Sequence, residues 1–347
     1  MISQAFKQEV QYLRDNKCLP GPKILQIEIT NMCHLHCPQC YKPPVSQLKS
    51  MCFGDFKKHV DVAAAIGVKE IALLGGEPFE NRDIFQMIEY GISKNIGIMT
   101  VTNGCYMNET TLKRLRKFTE GFTLLISLNG STELINKLSR DGYKASVNAA
   151  LKARGANVPF GINWVARHDN AFDFENTVNF SRKLGADFIN IVANKLTGNA
   201  QVESPLTYED YQYIIKVIEK EKDSHFISIQ KCFDLLISRA TKMPRSILSG
   251  CQAGISVAAI TLDNQYMPCL HLMYPEKYGS LAEYWKSSEV LTKLRNKDKT
   301  NSGYCAECEY ASNCKYCRAM SKKSHDDFNV GLENCVLRKC QDDFVKI

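Results

Sequence analysis

Short apolar runs alternate with amphipathic stretches along the first part of the chain. The runs at 24–29, 70–74, 97–102, 123–128, 160–165 and 188–192 are bounded by turn residues and predict strands. Between them, 56–65, 83–94, 109–118, 143–154 and 172–184 carry apolar residues at helical spacing. This repeated order predicts an α/β fold with a parallel sheet, either a partial or complete βα barrel or an open doubly wound sheet. An amphipathic helix is expected over 1–22, ahead of the first strand. Near residue 200 the pattern changes. Residues 208–222 read as a helix with an acidic start and a basic end, and the remainder is irregular. The expected organisation is therefore a helix (1–22), an α/β unit (23–200), a bridging helical segment (201–245) and a C-terminal unit (246–347).

A chain of 347 residues with 44% hydrophobic content can bury one large core and a small appendage. Its start lacks the apolar stretch and cleavage site of a signal peptide, and no run of about 18 apolar residues could span a bilayer. A cytoplasmic protein without a membrane partner is expected. Fifteen cysteines then change the picture, because in a reducing compartment an odd excess of thiols reads as metal ligation or redox chemistry, not disulfides. The formal charge of +7 carries little weight for nucleic acid. Lysines and arginines form no clustered run, and thiolate-bound iron-sulfur clusters, each net about −1 to −2, would cancel much of it.

The stretch "TNMCHLHCPQCY" sets Cys33, Cys37 and Cys40 in a C-x3-C-x2-C spacing just after the first predicted strand. That is the carboxyl end of the sheet, where α/β folds build their sites. Soft thiolates select zinc or iron-sulfur. Zinc would take a fourth ligand, His34 or His36; a [4Fe-4S] cluster would keep one iron free of protein. The spacing, with Tyr41 following, resembles the defining motif of the radical S-adenosylmethionine (SAM) superfamily. The resemblance implies that the free iron chelates the amino and carboxylate groups of SAM, whose one-electron cleavage yields a 5′-deoxyadenosyl radical. It also assigns cofactor-binding positions: Tyr41; Gly75, Gly76, Glu77 and Pro78 in "GGEP"; Thr102 and Asn103 in "TNG"; and Ser127 and Asn129 in "SLNG". Asn129 stands where relatives often have Asp.

From Cys251 onward there are eight cysteines, enough for two sites. Two zinc ribbons are one reading. The spacing resembles the SPASM extension of radical SAM enzymes, which implies two auxiliary [4Fe-4S] clusters. Carried over by position, Cys251, Cys269 and Cys317 hold the inner cluster and Cys305, Cys308, Cys314 and Cys335 the outer one, with Cys340 spare or completing either. Two departures stand out: C-x2-C between Cys314 and Cys317 in place of C-x3-C, and Asn264 where the family has Gly. Asn is the non-glycine residue most tolerant of the left-handed conformation. Cys18, Cys52, Cys105 and Cys232 lie outside these patterns, and Cys105 and Cys232 are candidate hydrogen donors.

The resemblance implies a partial (β/α)6 TIM-type barrel with a small cysteine-rich C-terminal SPASM domain. It also implies a radical SAM oxidoreductase that matures a ribosomally made peptide by cross-linking, oxidation or epimerisation. A small-molecule dehydrogenase or epimerase is the alternative, and an iron-sulfur electron carrier or zinc protein a third. Expected partners are the substrate and a flavodoxin- or ferredoxin-type donor. The lead of about two dozen residues is shorter than a leader-binding domain of about 80, so a separate leader-peptide-binding protein is a further expected partner.

Overall fold

The computed structural model describes residues 18–43, 45–195, 197–198, 205–221, 224–231, 250–296, 306, 317–320 and 330. The expected N-terminal helix falls almost wholly outside them. Residues 18–22 are not helical.

Six expected strands form at the expected places: β1 (Ile24–Thr30), β2 (Glu70–Gly75), β3 (Gly97–Thr102), β4 (Phe122–Ser127), β5 (Phe160–Ala166) and β6 (Phe188–Ala193). Each pairs in parallel with the next. A short β7 (Ile227–Ile229) continues beyond β6, and β8 (Val257–Ile260) pairs in parallel with β1 on the other side. Strand β9 (Tyr266–Met267) closes an antiparallel turn on β8. The order β7-β6-β5-β4-β3-β2-β1-β8-β9 never reverses as a doubly wound sheet must. The fold is a partial TIM-type barrel. Strand β8 lies beyond the boundary expected near residue 245, yet it belongs to the same sheet.

Alternation along the strands explains the layers. Leu25, Ile27 and Ile29 of β1 share a face with Ile71 and Leu73 of β2, and all are buried. They pack on helices α1 (Phe53–Ala65) and α2 (Ile84–Ser93) through Phe56, Val60 and Met87. The opposite face lines the barrel. There Gln26 and Glu28 of β1, Ser127 of β4 and Asn163 of β5 make a polar interior. Glu28 is buried and pairs with Lys42 at 2.5 Å. Gln26 Oε1 accepts the Leu270 N–H at 3.0 Å, which ties the segment after β9 to the barrel mouth.

Helix α3 (Glu109–Leu115) follows β3, capped by Asn108, and α4 (Glu133–Lys137) and α5 (Tyr143–Gly155) follow β4. The helix expected over 172–184 forms as α7 (Phe174–Leu184), and an additional short helix, α6 (His168–Ala171), precedes it. Asp173 stands at the N-cap of α7. Its carboxylate accepts the Ser131 N–H at 2.7 Å and the Ser131 and Thr177 hydroxyls, which ties the start of α7 to the segment after β4. Helix α8 (Tyr208–Glu221) matches the expected bridging helix, and α9 (Leu281–Ser287) and α10 (Glu289–Arg295) pack against the same core. No described helix is long and apolar enough to cross a membrane.

Candidate active site

Cys33, Cys37 and Cys40 occupy the loop leaving β1, at the carboxyl rim of the sheet. The loop is held from three sides. Gly76 N–H donates to Thr30 O at 2.8 Å and Glu77 N–H to Met32 O at 2.7 Å. A Cβ on Gly75 would lie 2.0 Å from Thr30 O, and one on Gly76 2.1 Å from Met32 O. These two glycines therefore permit the end of β2 to lie against the cysteine loop. Pro78 opens a single 3-10 turn over Pro78–Glu80. The second support is Asn103, whose Nδ2 reaches Cys33 Sγ at 3.7 Å. The third is Asn129, which donates from Nδ2 to Gln39 Oε1 at 2.7 Å.

Glu77 is buried, and its carboxylate accepts the Thr102 hydroxyl at 2.7 Å, the Asn103 N–H at 2.8 Å and the Phe79 N–H at 3.3 Å. Burial nevertheless raises its pKa above the usual carboxylate value. Thr102 and Asn103 thus brace Glu77 and the first cysteine. Asn129 is more fully committed than the sequence suggests. Its Nδ2 also donates to Ser139 Oγ at 2.8 Å, its Oδ1 accepts from Val165 N at 3.1 Å, and its carbonyl accepts from Trp164 and Asn170. It is completely buried, with both ends of its amide engaged by protein.

Tyr41 packs edge-on to His271, with ring centroids 4.8 Å apart, and its hydroxyl approaches Gly75 O at 3.4 Å. Burial raises its pKa well above the phenol value. His34 turns to Glu80 at 3.4 Å, while His36 is held through its backbone N–H by Asp141. Among the described residues no three of His, Cys, Asp and Glu converge closely enough for a single ion. Cys105 is exposed beside the same triad, near enough that Cys33 and Glu77 raise its pKa further after burial. Cys232 lies outside the described residues.

Burial, before any other cause, raises the pKa of Cys33 and of Cys40, and neighbouring thiols of the triad add to it. Thiols whose ionisation is disfavoured by burial and by their neighbours, as at Cys33 and Cys40, call for a cation. Arg140 supplies part of that charge. Its guanidinium lowers the pKa of Cys40, Glu77 and Cys105, and its buried Nε has no acceptor. Ser127 Oγ, on the inner face of β4, is a second buried polar atom without a partner. A soft three-thiol set beside an unsatisfied guanidinium and hydroxyl suits a thiolate-bound cluster carrying a ligand with a carboxylate. Arg140 escaped the sequence reading because a lone arginine in a loop carries no spacing signal.

In the C-terminal part, Cys251, Cys269 and Cys317 are described, and all pack against the main core. Cys251 lies close enough to Cys269 to raise its pKa, which burial has already driven up, to about 12. Cys305, Cys308, Cys314, Cys335 and Cys340 lie outside the described residues. Asn264 has φ +54, the left-handed conformation expected at the position of the family glycine. Its Oδ1 also meets His59 Nε2 at 2.8 Å, a contact no glycine could make.

Residues 27–181 match the family model "Radical SAM superfamily". Among curated relatives, the "AdoMet-dependent heme synthase" of Methanosarcina barkeri is 25% identical, covering 92% of this chain and 97% of its own. The "PqqA peptide cyclase" of Ruegeria pomeroyi is 27% identical over 189 residues, 52% of this chain and 49% of its own. Among solved structures, Streptococcus suis SuiB bound to S-adenosylmethionine superposes with a TM-score of 0.77 at 17% identity, over 95% of this chain and 81% of that one. SuiB bound to precursor peptide SuiA matches equally well, over 95% and 79%. The fold is shared with SuiB.

Proposed function

From a chain whose residues 27–181 match the radical SAM family model, we propose an enzyme that cleaves S-adenosylmethionine at a [4Fe-4S] cluster held by Cys33, Cys37 and Cys40. Held there with SAM, such a cluster would supply a 5′-deoxyadenosyl radical for hydrogen-atom removal from the substrate. The protein's own residues do the rest. Gly75 and Gly76 bring β2 against the cysteine loop; Thr102 and Asn103 hold the buried Glu77 carboxylate, suited to an ammonium group; Arg140 and Ser127 offer donors suited to a carboxylate. Tyr41 closes the loop against His271 and limits water there. The observation that carries this reading is the three-cysteine loop with Arg140, whose buried Nε has no acceptor and whose charge bears on Cys40 and Glu77.

The substrate is a ribosomally made peptide. The SuiB fold, seen in that protein with its precursor peptide, and the PqqA peptide cyclase relative support this choice. The heme synthase relatives, aligned over nearly the whole chain, favour a second reading, a small organic substrate. Cys251, Cys269 and Cys317, with the five cysteines of the C-terminal stretch, belong to two auxiliary clusters in a SPASM-type unit. The proximity of Cys251 and Cys269 supports this. Electrons come from a flavodoxin- or ferredoxin-type donor. Coexpression with short peptides encoded nearby, followed by intact-mass analysis, tests the peptide reading. A defined mass change dependent on Cys33, Cys37 and Cys40 is expected; an unmodified peptide alongside a modified small molecule would reverse the choice.

A further inference from the structure

Four buried polar groups stand on two loops, three of them without a hydrogen-bond partner and one an ammonium bonded only to neutral oxygens. Three come from the loop leaving β6: the buried Nδ2 of Asn194, the ammonium of Lys195 and the buried Oγ1 of Thr197. The fourth is Nδ1 of His271, buried and unpartnered. Lys195 is only 8% exposed, yet its bonds go to neutral oxygens, Gln230 Oε1 at 2.9 Å and Ala193 O at 3.3 Å. Among the described residues no carboxylate lies within ion-pair reach of it. An ammonium withdrawn from water without an anion is costly, and unsatisfied buried donors are rare in native folds.

The location is specific. Lys195 is close enough to Cys269 and His271 for its charge to bear on both. At Gly198 the chain lies against the carbonyl of Tyr41, where a Cβ would come within 2.1 Å. The His271 ring in turn rests on Tyr41. Lys195 and His271 therefore stand together, near Cys269 and against Tyr41 of the loop that carries Cys33, Cys37 and Cys40.

We propose that Lys195, with Asn194, Thr197 and His271, binds a carboxylate group of the substrate. One positive charge matches one negative charge, which favours a carboxylate over a phosphate. A carboxylate also offers about four acceptor sites for several donors. In a peptide this group is an Asp or Glu side chain or the C-terminus. That the carboxylate belongs to a substrate rests on the function proposed above; that the loop takes a carboxylate does not.

The test uses the cluster-reconstituted full chain, with 13C-labelled acetate as the probe and acetamide as its neutral isostere, followed by NMR titration. Acetate is expected to bind saturably and acetamide about tenfold more weakly, the loss of one charge-assisted bond. Lys195→Gln should weaken acetate about tenfold or more, and Thr197→Val about fivefold. Unfolding midpoints near that of the parent certify the variants. Equal binding of acetate and acetamide would overturn the site. So would unchanged acetate binding in Lys195→Gln together with a shifted reduction potential of the cluster at Cys251 and Cys269, since Lys195 would then serve thiolates. Acetate binding needs no SAM cleavage. A parent protein that forms no 5′-deoxyadenosine therefore defeats the proposed function separately.

Discussion

Asn129 at the end of β4 and Gln39 between the second and third cysteines are joined by a 2.7 Å hydrogen bond across ninety positions of sequence. Because the Val165 N–H donates to Asn129 Oδ1, the Asn129 amide has a single orientation and must present Nδ2 to Gln39 Oε1 and Ser139 Oγ. Gln39 N–H also donates to Ser139 O at 3.2 Å, one residue before Arg140. One amide thus fixes the cysteine loop and the arginine segment relative to each other. Asn129→Leu leaves these buried partners unsatisfied. It should lower stability by about 2–4 kcal/mol and reduce iron bound per chain, read by denaturant unfolding and iron analysis. Unchanged iron content with unchanged stability would show that the network holds nothing.

Gly76 is tested by adding one carbon. Gly76→Ala places a methyl 2.1 Å from Met32 O, which only a backbone shift relieves. A stability loss of about 1–3 kcal/mol is expected, with poorer cluster assembly. Gly155, whose Cβ would meet nothing within 4 Å, is the internal control: Gly155→Ala should be neutral or stabilising.

Thiol titration in iron-free protein has a definite sign. Burial raises Cys33 and Cys40 above the ordinary thiol value of 9.0. A raised folded-state pKa means the associated stability is full below about pH 9 and is lost as pH rises through the folded values. Alkylation of Cys33 and Cys40 by iodoacetamide should show midpoints above pH 9, and iron-free protein should lose stability in that range. The loss should shrink in the Cys33→Ala, Cys40→Ala double variant. Iron binding displaces the thiol protons, so cluster assembly should strengthen with pH through the neutral range. Alkylation midpoints below 9 would contradict the burial account.

Asn264 separates conformation from bonding. Both Asn264→Gly and Asn264→Ala lose the bond to His59, but only Ala retains a side chain at φ +54. The Ala variant should be about 1 kcal/mol less stable than the Gly variant, measured by denaturant midpoint at constant slope. Equal stabilities would mean that the turn relaxes away from the left-handed conformation.

Strands β1 to β6 were legible because helices cover one face and a polar interior the other, so Leu25, Ile27 and Ile29 alternate with Gln26 and Glu28. Strand β8 was not legible. Its "VAAI" is short and largely buried on both faces, so it alternates with nothing, and its pairing with β1 lies over two hundred residues away. The cysteine triplet and the Gly-Gly-Glu turn announce themselves by spacing, and the structure brings them together. The motif marks Asn129 as a cofactor-binding position but gives no sign of the bonds its amide makes to Gln39, Ser139 and Val165. Arg140 and Lys195 carry no periodicity or motif, and only their unsatisfied surroundings reveal them.

The claim on which the rest depends is that the Cys33, Cys37 and Cys40 loop carries an iron open to SAM. Its most direct test is electron paramagnetic resonance of the reduced, reconstituted protein, with SAM labelled at its carboxylate and amino group, and both auxiliary sites removed by Cys251→Ala, Cys305→Ala and Cys308→Ala. The account predicts a [4Fe-4S] signal that shifts on SAM addition, with hyperfine coupling to the labelled oxygen and nitrogen, and that is lost in Cys37→Ala. A signal indifferent to SAM, or a metal at these cysteines bound by four protein donors, would contradict it.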